Sequence, residues 1–155
     1  MNQLTGIIGT TVAGVVGMTL LAGVPTQAQG QTCVPLQVVD GRGTQVEKSV
    51  SPPGTGVTRD NWNTDFVVPD GSQFNRYVAQ ITPNDAGEYR LFMALKYNND
   101  TSDTVYDRVQ QLSETNLYTI QGRPRNRPGP YQVNVAVGGL RAIGKNYTVS
   151  VLGCS

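Results

Sequence analysis

The chain has 155 residues, with 12 Lys and Arg against 11 Asp and Glu, no histidine, and a net charge of +1. A balance this close to neutral leaves no global field to draw nucleic acid or an anionic membrane. Without histidine, a Ser-His-Asp or Cys-His arrangement and any histidine-ligated zinc site are excluded.

From the N-terminus, Ile7 to Val24 are mostly apolar or small, Pro25 breaks the run, and Thr26-Gln27-Ala28 sets small side chains where signal peptidase needs them. The pattern predicts a signal peptide over 1–28 and a single mature domain over 29–155. That domain is expected to be a secreted or periplasmic monomer with no membrane contact after cleavage. No Lys or Arg precedes Arg42, so a retained membrane anchor is the alternative. Gly9, Gly14, Gly17 and Gly23 make the run weakly hydrophobic for that role. About 125 residues remain, enough for one sizeable core.

Most of the mature chain reads as strands. Val34, Leu36 and Val38 alternate with Cys33, Pro35 and Gln37, and weaker strand patterns follow over 44–50, 63–68 and 74–81. Tyr89, Leu91, Met93, Leu95 and Tyr97 then alternate with Arg90, Ala94 and Lys96, with Phe92 interrupting the polar face. After Asp103, the spacing of Val105, Val109 and Leu112 predicts one short helix. A strand over 116–121 comes next, followed by the alternations Tyr131, Val133, Val135, Val137 and Tyr147, Val149, Val151. The sum is an all-β chain: an antiparallel β-sandwich, Ig-like or jelly-roll-like, of about eight strands.

Cys33 and Cys154 are the only cysteines. In an exported chain they read as a disulfide linking the first and last strands, since the start of one lies beside the end of an antiparallel partner. Both stand off the apolar parity of their strands, which places the bridge at a rim. Bridged cysteines also remove thiolate catalysis and thiolate metal sites.

The chain echoes itself. Tyr77, six residues before Pro83, is followed by Gly87-Glu88-Tyr89-Arg90-Leu91-Phe92-Met93; Tyr118, six residues before Pro124, is followed by Gly129-Pro130-Tyr131-Gln132-Val133-Asn134-Val135. Gly144-Lys145-Asn146-Tyr147-Thr148-Val149 is a looser third copy. These units are either a duplication or the reused turn-and-strand grammar of sandwiches. The Gly-x-Tyr strand openings resemble those of bacterial pre-peptidase C-terminal domains, the accessory β-sandwiches of secreted proteases. The resemblance covers Tyr77 to Leu95 and Tyr118 to Val151 in pattern, with no catalytic domain beside them in these 155 residues. It implies an exported, non-catalytic binding or stabilising module, in some cases calcium-assisted.

Four stretches carry candidate chemistry. Trp62, the lone tryptophan, stands among Asp60, Asn61, Asn63 and Asp65; it suits either a core position or a sugar-stacking surface. Asn98-Asn99-Asp100-Thr101-Ser102-Asp103, with Asp107 beyond, offers oxygen ligands for calcium from Asp100, Asp103 and Asp107, or else a polar turn closed by its own side chains. Calcium is the one cofactor this leaves open. Gly122-Arg123-Pro124-Arg125-Asn126-Arg127-Pro128-Gly129-Pro130 sets Arg123, Arg125 and Arg127 along a proline-stiffened loop, either merely solvated or a site for anionic polymers. Gly139 to Asn146 follows the spacing of a phosphate loop but ends in Asn146, and a strand follows where the motif needs a helix; a glycine-containing hairpin loop is expected.

These features predict a non-catalytic exported interaction module that binds polysaccharide or the cell-envelope surface. The alternatives are a structural subunit of a surface assembly, pilin-like, or a small hydrolase using two carboxylates.

Overall fold

The computed structural model describes residues 32–54, 62–125 and 127–155; the leader expected over 1–28 lies outside them. Ten strands follow one another: β1 (Cys33–Pro35), β2 (Gln37–Val38), β3 (Gln45–Ser49), β4 (Asn63–Val67), β5 (Arg76–Pro83), β6 (Gly87–Lys96), β7 (Ser102–Leu112), β8 (Tyr118–Gly122), β9 (Gln132–Gly138) and β10 (Asn146–Cys154). Among the described residues no helix is long and apolar enough to cross a membrane.

One sheet runs β1-β10-β5-β8, with β3 also on β10; the other runs β2-β4-β9-β6-β7. All pairings are antiparallel. The chain changes sheet at every connection except the β6–β7 hairpin, so β3-β10-β5-β8 faces β4-β9-β6-β7. That is jelly-roll wiring, which decides between the two sandwich types left open by the sequence. Ten strands appear in place of eight because β7 stands where a helix was expected and the first strand is divided. Its β1 part lies on β10, its β2 part on β4, and the crossing residue Leu36 is buried between the sheets at 1% exposure.

Parity explains the core. Tyr89, Leu91, Met93 and Leu95 of β6, Val133, Val135 and Val137 of β9, Tyr77, Ala79 and Ile81 of β5, and Tyr147, Val149 and Val151 of β10 are all buried. Alternate residues of each strand face inward, and two sheets so built exclude water from one shared layer. The internal echo has a structural counterpart. Its first strands, β5 and β8, pair with each other in one sheet, and its second strands, β6 and β9, pair in the other.

Two expectations need correction. No helix follows Asp103: β7 pairs with β6 from Ser102 opposite Lys96 to Leu112 opposite Gly87, and the register shifts between Met93 and Ala94. Val105 is the extra residue of that bulge, so the parity of β7 changes there and three apolar residues acquire a false helical spacing. Val105 turns against β8, where its Cγ2 would stand 2.3 Å from a Cβ at Gly122, whereas Val109 is 59% exposed. The segment from Gly139 to Asn146 is not a hairpin either. It carries the chain from one sheet to the other through a 3-10 turn, Leu140–Ala142, and Lys145 Nζ donates to Ala86 O at 2.7 Å.

Cys33 and Cys154 are bonded as register partners of β1 and β10, with Cα atoms 4.1 Å apart and 121 residues between them. The rim position holds for Cys33, which is exposed, but Cys154 is fully buried. The chain entering β5 covers it: Asn75 N donates to Cys154 O at 2.8 Å, and Phe74 lies over the neighbouring Gly153. Replacing Cys154 by Ser is expected to destabilise the domain by about 2–5 kcal/mol. Urea unfolding followed by the fluorescence of Trp62 measures this; an unchanged midpoint would show that strand pairing alone holds the termini.

Candidate functional site

Three connections meet at one end of the sandwich: 68–75 between β4 and β5, the turn after β6 at Asn98, and 123–131 between β8 and β9. They enclose a cleft of about 1110 Å³ into which Arg123, Arg125 and Arg127 all contribute. Each connection has a local reason for its shape. Gly71 turns the first with a φ of 75°, and Ser72 closes it by donating from its hydroxyl to Pro69 O at 2.6 Å. In the third, Pro124, Pro128 and Pro130 hold φ fixed. Its far end is tied down where Tyr131 N donates to Lys96 O and Val68 N donates to Tyr131 O, both at 2.9 Å.

The three arginines are not equivalent. Arg125 forms a two-pronged pair with Asp103, Nε to Oδ2 at 3.0 Å and Nη2 to Oδ1 at 2.6 Å. Its guanidinium also lies 3.9 Å from the centre of the Tyr97 ring, and its backbone N–H donates to the Tyr97 hydroxyl at 3.1 Å. The hydrogen bonds from Arg125 hold the Asp103 carboxyl below its ordinary value, and Asp103 in turn raises Arg125. Arg125 is thus the brace of the loop. Arg123 and Arg127 are exposed and make no ion pair among the described residues.

Among the described residues the carboxylates of the oxygen-rich stretch are placed separately. Asp100 is exposed in the β6–β7 turn with φ 59°, and Asn99 Oδ1 accepts from Thr101 Oγ1 at 2.7 Å, closing the turn on itself. Asp103 is occupied by Arg125, and Asp107 by Arg90 through bonds of 2.8 and 2.7 Å. Among the described residues no three His, Cys, Asp or Glu side chains stand close enough to hold a metal. A guanidinium that spans both oxygens of a carboxylate leaves a cation little to bind.

Trp62 is half-buried against the core. Its indole N–H donates to Ser51 O at 2.7 Å, and its ring fills the space where a Cβ on Gly138 would stand, 2.3 Å from Cδ2. Gly138 closes β9 and Tyr131 precedes it, so seven residues of strand, about 20 Å, separate Trp62 from the cleft. The flanking Asp60 and Asn61 lie outside the described residues.

Two residues take places that the sequence did not indicate. Tyr131, read as inward by parity with Val133, is 40% exposed and lines the cleft, because Gly129-Pro130 redirects the chain before the first ladder pair of β9. On the outer face of the second sheet, Asp65 accepts from Lys96 Nζ at 3.0 Å and from Asn134 Nδ2 at 2.7 Å. Burial alone would raise the Asp65 carboxyl, but hydrogen bonds from Asn134, Lys96 and Gln132 hold it below its ordinary value.

No protein-family model matches the chain, and no curated protein matches it in sequence. It is similar to two solved structures from Clostridium thermocellum. One is a family 11 carbohydrate-binding module in complex with a β-1,3-1,4-mixed-linked tetrasaccharide, 14% identical over 81% of this chain and 84% of that one, with a TM-score of 0.38. The other is the family 11 carbohydrate-binding module of the cellulosomal cellulase Lic26A-Cel5E, 16% identical over 82% and 84%, also with a TM-score of 0.38.

Because its pKa is depressed on folding, Asp103 contributes stability that is complete above the unfolded carboxyl value of about 4 and is lost as pH falls through the lower folded value. Asp103→Asn is therefore expected to melt below the wild type at pH 7 and to converge with it in acid. Parallel curves across that range would remove the ion pair from the account. Millimolar calcium is expected to leave the melting temperature unchanged; a rise abolished by Asp103→Ala would restore the calcium reading.

Proposed function

We propose that the protein is an exported, non-catalytic carbohydrate-binding module whose loop-end cleft takes a polysaccharide of the surroundings or the cell envelope. The supporting observation is the make-up of the cleft lining. The exposed ring of Tyr131 and the half-buried ring of Phe74 share it with Ser72, Asn75 and Asn98. Aromatic faces stack on the C–H surfaces of sugar rings while hydroxyls and amides read their hydroxyls. A cleft of about 1110 Å³ has room for more than one ring, and a rigid sandwich holds the loops that form it.

Hydrolysis needs two carboxyl groups flanking the scissile bond. The cleft lining carries one, Asp70, which favours binding over cleavage. The pilin-like alternative needs a spare strand or edge: β1 is not spare, being paired and bridged to β10, while among the described residues β7 and β8 each pair on one side only. Export is consistent with the disulfide, which persists in oxidising compartments.

Affinity electrophoresis through gels containing neutral or acidic polysaccharides tests the reading. At least one polymer should retard the protein, and Tyr131→Ala should weaken that retardation about tenfold, or ~1.4 kcal/mol, at an unchanged melting temperature. Free migration of the wild type through every gel would end the carbohydrate reading.

A further inference from the structure

We infer that the sugar bound in this cleft is anionic, a uronate or a sulfate ester, and that Arg123 and Arg127 are the residues that contact its charged group. The inference rests on the carbohydrate reading of the cleft and adds the ligand's chemical class. It follows from how charge is distributed there. Arg125 is fully engaged by Asp103 and stacked on Tyr97, so it fixes the loop without offering a free guanidinium. Arg123 and Arg127, two residues to either side, are exposed, line the cleft and have no ion pair among the described residues. Among the described residues Asp70 is the one carboxylate in the lining, so two cations face one anion there.

Most other basic groups among the described residues are engaged by partners, Arg42 and Arg108 excepted. Arg90 pairs with Asp107, Lys96 with Asp65 and Arg141 with Glu88, while Lys145 and Lys48 donate to backbone carbonyls. A guanidinium matches a carboxylate or sulfate with two parallel hydrogen bonds. Two of them on a loop held by Pro124, Pro128 and the Arg125 brace lose little freedom when they close on such a group. Both ligand sources present the same feature, a group whose oxygens accept two such bonds.

The test compares polygalacturonate, dextran sulfate and neutral dextran as immobilised polymers, with the wild type, an Arg123→Gln/Arg127→Gln variant and an Arg42→Gln/Arg108→Gln variant that loses the same charge elsewhere. The wild type should bind at least one acidic polymer and not dextran, with affinity falling as salt rises. The cleft variant should lose about tenfold or more, and the distant variant should stay within about twofold. If only the sulfated polymer is bound, the ligand is a sulfate ester; if only polygalacturonate, a uronate. Equal losses in both variants would mean general charge attraction and overturn the inference. Binding of dextran that is indifferent to Arg123 and Arg127 would overturn it while leaving the carbohydrate reading intact, and binding to none of the polymers would count against both. Should the double variant melt early, Arg123→Gln alone decides, and the inference stands only if it weakens binding at an unchanged melt.

Discussion

The first sheet exists only through β10. That strand pairs with β5 on one side and with both β3 and β1, end to end, on the other, while β8 is joined through β5. Residues at the C-terminal end of the chain therefore supply the centre of a sheet whose other members come much earlier. Contacts so distant in sequence cost loop-closure entropy before they return any burial. The return is large: Tyr147, Val149 and Val151 are fully buried and complete the layer facing β4, β9 and β6. The Cys33–Cys154 bridge acts on this costly step, since it joins β1 to β10 across 121 residues and restricts the unfolded chain most where the loop is longest.

The cleft is coupled to that core through Tyr97. The parity that buries Tyr89, Leu91, Met93 and Leu95 also buries Tyr97 just past the end of β6, so its ring becomes a fixed platform at the mouth of the sandwich. Arg125 stacks on the platform and receives a second constraint from Asp103 on the adjoining strand. A loop that would otherwise be a run of proline and charge thus acquires one defined point. Arg123 and Arg127, on either side of it, are exposed.

Strand identity was legible because burial imposes a period of two. The alternations in β6, β9 and β10 needed no knowledge of partners, and the cysteine pairing followed from antiparallel geometry alone. What the sequence concealed were relations between segments. The bulge at Val105 is visible only against β6, because the same spacing of Val105, Val109 and Leu112 serves a helix equally well. Arg125 and Asp103 are 22 residues apart, and no local rule pairs them; each was read in its own loop, one as a solvated cation or anion site and the other as part of a polar turn or a calcium ligand. Trp62 depends likewise on the missing side chain at Gly138. The choice of jelly roll over immunoglobulin wiring is also non-local, since both use the same strands with different connections.

Charge that is paired across strands has one further consequence. With a net charge of +1 and Arg90, Lys96, Arg141, Lys48 and Lys145 engaged by Asp107, Asp65, Glu88 and backbone carbonyls, the molecule projects little long-range field. A cleft with two unpaired arginines differs from that background only within about 8 Å, the screening length at physiological ionic strength. Such a site does little to steer a polymer from a distance; it acts once the polymer touches the loops. On the proposed carbohydrate reading, selectivity would come from the fit of individual sugar residues between Tyr131, Phe74 and the two guanidinium groups. That fit is sharpest if the loop is already in place, so on the proposed reading the Arg125–Asp103–Tyr97 brace, rather than the number of arginines, is the feature on which recognition would turn.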